Sequence, residues 1–398
     1  MKKYLTLAAV ASLALATSQF ALAQNYTQVN LVANKPGVAA ETDSNLVNPW
    51  GISRSSSSPW WVVNAGTGTS TLYNGAGIAS PLIVTIPKNP ANTNAKTGSP
   101  AGIVFNADKT AFLVGTNEPA DFLFATLDGT IAGWNPSAGL TKGQKAPSTH
   151  AITRVATKDG SVFTGMASAL LNGQTNLYLA NFTKGRVDVY SPTFQHLTLP
   201  PVSNGDRFNP GLETPFVDAL LPAGYAPYNV QAIGQDLVVT YAPDSFTGGP
   251  GNGYVDIYST AGELLKRLEW GPWFNAPWGV ALAPNDFGTF SHALLIGQFG
   301  FDGTTTNSGT IAAFDLITGN YIGQIEDSTG KPIAINGLWS IAFGNAVPNS
   351  TGTASGSFDP TAVPSTELYF TAGPNGEQDG LLGYLAPVPT ELTQGNNQ

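Results

Sequence analysis

The sequence predicts an all-β chain folded as a six-bladed β-propeller, with an N-terminal strand closing the last blade. Three observations predict it. First, Gly309-Thr310-Ile311-Ala312-Ala313-Phe314 has near copies along the chain. Gly68 and Tyr73, Gly129 and Trp134, Gly185 and Tyr190, and Gly253 and Tyr258 keep the same spacing, while Gly380 and Tyr384 are one residue closer. Second, each copy lies in a unit of roughly 50 to 70 residues with several short β-rich runs, the sequence signature of propeller blades. Third, the chain starts with a strand that has no hairpin partner and ends without a fourth strand for its last repeat.

That lone strand runs from Tyr26 to Val32, with Tyr26, Gln28 and Asn30 on one face and Thr27, Val29 and Leu31 on the other. Residues 33–48 read as irregular. Each repeat then opens with a strand that carries a small or polar residue, at Gly51, Gly102, Gly165, Asn229, Gly279 and Ser340. The innermost strands of a propeller crowd one another around a narrow channel, so bulky side chains there would collide. A strongly apolar second strand follows, as expected for strands sandwiched between sheets. It is read at Trp61-Val62-Val63, Ala111-Phe112-Leu113-Val114, Leu177-Tyr178-Leu179, Leu237-Val238-Val239, Leu294-Leu295-Ile296 and Leu368-Tyr369-Phe370. The glycine–aromatic motif is the third strand. Fourth strands are read at residues 82–86, 196–199, 264–268 and 321–325. After Tyr384 no fourth strand follows, and pairing residues 26–32 into the last blade supplies it and removes two open edges.

Composition bounds the rest. Met1-Lys2-Lys3, an apolar run to Ala16 and Ala21-Leu22-Ala23 describe a secretory signal peptide over residues 1–23. One propeller domain is expected over residues 24–386, followed by a polar tail at 387–398. The chain has no cysteine, 45 glycines, 29 prolines and only 11% charged residues. Disulfides and thiolate metal sites are excluded. The net charge is -9, and losing Lys2 and Lys3 makes it more negative. With no Lys/Arg cluster, nucleic acid and anionic membrane surfaces are not expected partners. No second stretch is apolar enough to span a membrane, so a secreted monomer, periplasmic or extracellular, is expected.

The repeat layout resembles NHL-type and lactonase-type six-bladed propellers. A closer resemblance is to a family of secreted bacterial propellers of unassigned function that often carry PEP-CTERM sorting tails. It rests on Asp43-Ser44-Asn45-Leu46-Val47-Asn48-Pro49-Trp50-Gly51, Ile296-Gly297-Gln298-Phe299-Gly300, Asn336-Gly337-Leu338-Trp339 and Leu368-Tyr369-Phe370-Thr371-Ala372-Gly373-Pro374-Asn375-Gly376-Glu377. The resemblance implies fold and export, and no activity. This chain ends Gln394-Gly395-Asn396-Asn397-Gln398 instead of in a sorting tail, so a released protein is expected.

In a blade, the loop before the first strand and the loop after the second share one face. Entering loops bring Asp43, Asn45, Asn48, Asn275 and Asn336 there, with Trp50, Tyr228, Trp278 and Trp339 just inside. Loops leaving second strands bring Asn64, Asn117, Asn181, Tyr241 and Gln298. Two readings follow. Asn48, Trp50, Asn64, Tyr241, Asn275, Gln298, Asn336 and Trp339 form a ligand-binding face for a glycan, peptide or protein. Alternatively Asp43, Asn117, Asn181 and Glu377 hold Ca²⁺ or another divalent cation for a hydrolase, because a hard cation takes six to eight oxygens. Lactonase-type propellers use a comparable set of oxygens, which the resemblance carries only as analogy. Against both stands a plain role for each Asn, capping its own turn. The carboxylate pairs Glu118/Asp121 and Glu377/Asp379 are the candidates for general acid–base work. Asp302 is a further carboxylate near the same face.

Overall fold

The computed structural model describes residues 25–203, 211–301, 308–344 and 366–388. The signal peptide, most of the C-terminal tail and Asp302 lie outside these residues.

Six sheets surround one axis. Blade one pairs Pro49–Ser53, Trp60–Asn64, Thr69–Tyr73 and Ala79–Thr85 in sequence order. Blade three (Phe163–Leu171, Gln174–Asn181, Arg186–Tyr190, His196–Leu197) and blade four (Tyr225–Ile233, Asp236–Pro243, Tyr254–Ser259, Leu264–Arg267) repeat that order. So does blade five, with Pro277–Leu282, Leu294–Gln298, Ile311–Phe314 and Tyr321–Gln324. Blade six holds Leu338–Phe343, Leu368–Ala372 and Leu381–Pro387, and its fourth strand is the N-terminal Tyr26–Ala33. Tyr26 faces Pro387 and Ala33 faces Leu381 in an antiparallel ladder, so the ring closes as expected. The Tyr26 ring is buried against Phe287 and Phe290, and its hydroxyl donates to the Phe287 carbonyl at 2.8 Å. The preceding blade is thereby tied to the closing strand. A two-residue parallel strand, Glu41–Thr42, adds to this sheet inside the stretch expected to be irregular.

Blade two corrects one expectation. Its first strand, Pro100–Phe105, pairs with Phe122–Thr126, then Thr130–Trp134 and Ile152–Ala156. The apolar run Ala111-Phe112-Leu113-Val114 is therefore not the second strand. It leads into a small hairpin, Leu113–Gly115 with Glu118–Pro119, inserted between strands one and two. Two apolar runs compete for the same place in the repeat. Phe122–Thr126 wins because every one of its residues is buried, while Leu113 is exposed.

The small inner residues behave as the crowding argument requires. An added Cβ would lie 2.7 Å from the Ala101 carbonyl at Gly51, 2.8 Å from the Met166 amide nitrogen at Gly102, and 2.7 Å from the Trp339 carbonyl at Gly279. In each case the obstacle is the inner strand of the next blade. Blade four, with Asn229 at this position, uses the side chain as a link, donating from Nδ2 to the Trp278 carbonyl at 2.8 Å.

Candidate functional site

In every blade the register of the first two strands slips by one residue at the same place. A β-bulge leaves one residue unpaired and re-aims its side chain. The bulges fall at Trp50, Ala101, Thr164, Tyr228, Trp278 and Trp339, immediately before the small inner residue. Four of these six side chains are large aromatics, and they meet. Trp50 stacks on Trp339 with centroids 3.6 Å apart, and Trp278 meets both edge-on at 6.0 Å. Tyr228 lies 6.0 Å from Trp339 and 6.4 Å from Trp50. Ala101 and Thr164 contribute little volume.

Space is left beside blade three. A cavity of about 280 Å³ opens there, lined by Val162, Thr164 and Phe182 together with Trp50, Tyr228 and Trp339. Phe299 packs 4.2 Å from Trp339, and Phe182 lies 5.4 Å from Tyr228. Phe246, 59% exposed, and Thr247 stand at the mouth.

One charged side chain lines the cavity among the described residues, Glu377. It ends the turn Pro374–Glu377 that follows the second strand of blade six, with φ +66°. Its Oε2 accepts from Asn48 Nδ2 at 2.8 Å. Asn48, itself at φ +46°, accepts from Trp339 Nε1 at 3.0 Å. Both Asn48 and Glu377 are in the left-handed region, which Asn adopts readily and Glu only at a cost on the order of 1–3 kcal/mol. Burial raises the Glu377 carboxyl above the usual carboxylate range, opposed by the bond from Asn48. Burial, with the Glu377 charge as a smaller cause, raises the Tyr228 phenol far above its usual value. The Trp50 indole N–H is buried without a partner.

Asn48, Trp50, Trp339 and Glu377 are the expected site residues that come together. The others are committed elsewhere. Asn64 Nδ2 donates to Thr69 and Thr71 in its own blade. Asn181 donates to Ser161 at 3.0 Å and to the buried Asp188 at 2.6 Å. Gln298 accepts from the Asn275 amide and donates to the Ile296 carbonyl. Asn275 joins two loops through Gly249 and Phe301, and Asn336 accepts from the Asn375 amide. The Tyr241 hydroxyl pairs with that of Tyr258 at 2.8 Å. Asp43 accepts from Asn45 and from the Tyr73 hydroxyl. Asn117 lies on the turn of the inserted hairpin, at φ +59°, hence on the opposite face of the ring. The position matching Asn64, Asn181 and Gln298 in blade two is Thr126, so the amide ring has three members.

Asp43, Asn117, Asn181 and Glu377 therefore do not fit a shared cation. Among the described residues no three His, Cys, Asp or Glu side chains are grouped to hold one. The expected acid–base pairs are also engaged, Asp121 with Lys109 and Asp379 with Lys35, both at 2.7 Å. The four aromatics were placed just inside this face by the sequence, but their meeting in one cluster was not, because it depends on the bulge. Its signal was present nonetheless, in the residue just before each small inner position.

No family model matches the chain. It is similar to an uncharacterised protein of Acanthamoeba polyphaga mimivirus, 29% identical over 365 residues, 89% of this chain and 78% of that one. A second uncharacterised protein of the same virus is 27% identical over 364 residues, covering 89% and 84%. These relatives are viral, unlike the bacterial propellers that the sequence blocks resemble. Among solved structures the chain is similar to a streptogramin B lyase, with a TM-score of 0.45 and 10% identity, covering 92% of this chain and 98% of that one.

Proposed function

We propose that this protein is an exported propeller that binds a small ligand in the aromatic cavity at its channel mouth. The observation that carries this reading is the joint one at Asn48. An asparagine holds both a half-buried carboxylate and a channel tryptophan at the wall of a cavity. The left-handed backbone at Asn48 belongs to the repeat, since Ala276 before Pro277 shares it, but folding does not ask for a carboxylate without a cation in that wall, whereas a binding site uses one. A hydrolase reading would need a second acid, a base or a cation beside Glu377, and the side chains expected to supply them are engaged elsewhere. Export is part of the proposal and rests on residues 1–23.

The test is a thermal-shift screen of the mature protein against sugars, aromatic acids, alkylammonium salts and divalent cations, run in parallel on Val162→Trp. A ligand present at a hundredfold excess over its Kd adds about 2.7 kcal/mol of stability. A compound that raises the midpoint of the wild type but not of the filled variant supports the reading. Compounds that stabilise both equally, or divalent cations as the sole stabilisers, refute it.

A further inference from the structure

We propose that the group the cavity takes is an alkylated ammonium, its charge facing Glu377 and its methyl groups facing the rings. This rests on the cavity being a binding site, and goes further by naming the chemistry.

Three observations carry it. The first is shape. Trp50 stacks on Trp339 and Phe299 on Phe301, but Phe182, Tyr228 and Phe246 are inclined to their neighbours, 52° for Phe182 and Tyr228, 60° for Tyr228 and Trp339, and 34° for Phe182 and Phe246. Parallel faces would make a slot for a flat ring. Inclined faces make a box, and a box suits a compact, nearly spherical group.

The second is charge. Glu377 is half-buried, and its only hydrogen-bond donor among the described residues is the neutral amide of Asn48. No Lys, Arg or His lines the cavity with it among those residues. A carboxylate partly withdrawn from water without a cation carries a desolvation cost, and an entering cation offsets it. An aromatic face attracts the same cation through its quadrupole, most strongly for tryptophan. The two attractions converge at Asn48, which bridges Glu377 and Trp339.

The third is size. A volume of about 280 Å³ holds one headgroup, and an extended sugar chain would not fit.

Intrinsic tryptophan fluorescence reads the test directly. The mature protein is titrated with choline, with Nε-trimethyllysine and with 3,3-dimethylbutan-1-ol, the neutral isostere of choline. At least one of the two cations is expected to bind roughly tenfold more tightly than the isostere. Whichever of them binds more tightly identifies a headgroup or a side chain as the source. In Glu377→Gln the preference over the isostere should fall to the smaller part that the aromatic faces supply, and an undiminished preference would count against the role of Glu377. If the isostere binds as well as both cations, the cationic class is overturned while the binding site stands. If none of the three binds but another compound stabilises the wild type and not Val162→Trp, the class again falls alone. If nothing discriminates the wild type from Val162→Trp, both readings fall. The comparison of cation with isostere in the wild type needs no variant, so a folding defect in Glu377→Gln leaves the test decisive.

Discussion

Replacing Gly279 by alanine probes the crowding that positions the whole site. The new Cβ would lie 2.7 Å from the Trp339 carbonyl oxygen, 3.0 Å from Ile341 Cγ1 and 3.2 Å from the Ile341 amide nitrogen. Two of these three atoms are backbone of the adjacent blade, so no rotamer change relieves the contact. Overpacking of this kind costs about 1–3 kcal/mol. Removing the freedom of glycine from the unfolded chain returns about 0.4–1 kcal/mol. The net expectation is a loss of up to about 2.6 kcal/mol, centred near about 1.3, a fall in midpoint of about 1–3 °C for a chain of this length. The control is Gly297→Ala in the neighbouring strand. There the nearest atom is the end of the Leu338 side chain at 3.3 Å, which can give way. Differential scanning fluorimetry of the two variants beside the wild type measures the difference. Because the displaced backbone carries Trp339, Gly279→Ala should also weaken ligand binding, and Gly297→Ala should not. Equal midpoints for the two variants, or a stabilised Gly279→Ala, would refute the account of the inner strands.

Other consequences follow from the same contacts. Asp256, buried beside Asp218, Arg267, Tyr241 and Tyr258, has its carboxyl pushed up to about 7, first by desolvation and then by the Asp218 charge. A raised folded-state value means that its contribution is complete below about pH 4 and is lost as pH rises toward 7, at about 1.4 kcal/mol per pH unit. Urea unfolding between pH 4.5 and 6.5 should show a falling stability in the wild type that levels off above about 7, and a flatter profile in Asp256→Asn, and identical profiles would contradict it. Tyr26→Ala removes a buried ring from the closing strand and should cost about 3–5 kcal/mol, read by chemical denaturation. A loss below 1 kcal/mol would mean that closure does not depend on that anchor. The raised Glu377 carboxyl, faced by Asn48 and Tyr228, must be ionised to hold a cation. Choline affinity should therefore rise with pH as the group ionises and become independent of pH in Glu377→Gln, and an unchanged profile in that variant would count against its role.

Much of the fold was legible because each blade obeys the same local rules. The glycine–aromatic spacing marks third strands, and the small inner residues mark first strands. The unpaired Tyr26 strand and the strand missing after Tyr384 together identify the closure. Blade two was misread because an apolar run in an inserted hairpin looks, in sequence, like a strand buried on both faces. That error moved Asn117 to the wrong side of the ring. The site was only partly legible. Asparagines recur at strand ends, and sequence spacing does not distinguish an amide aimed at a ligand from one bonded to Ser161 and Asp188, as Asn181 is. The cavity itself comes from a contrast between blades. Trp50, Tyr228, Trp278 and Trp339 are large where Ala101 and Thr164 are small, and the bulges are what turn the four rings toward one another.

The most direct test of the central claim is crystallographic. Crystals of the mature protein, soaked with the compound that gives the largest thermal stabilisation, should show difference density between Glu377 and the Trp339 ring, next to Phe182 and Tyr228. Density for that compound elsewhere, such as at the exposed Trp270 of the outer surface, with the cavity empty, would contradict the account.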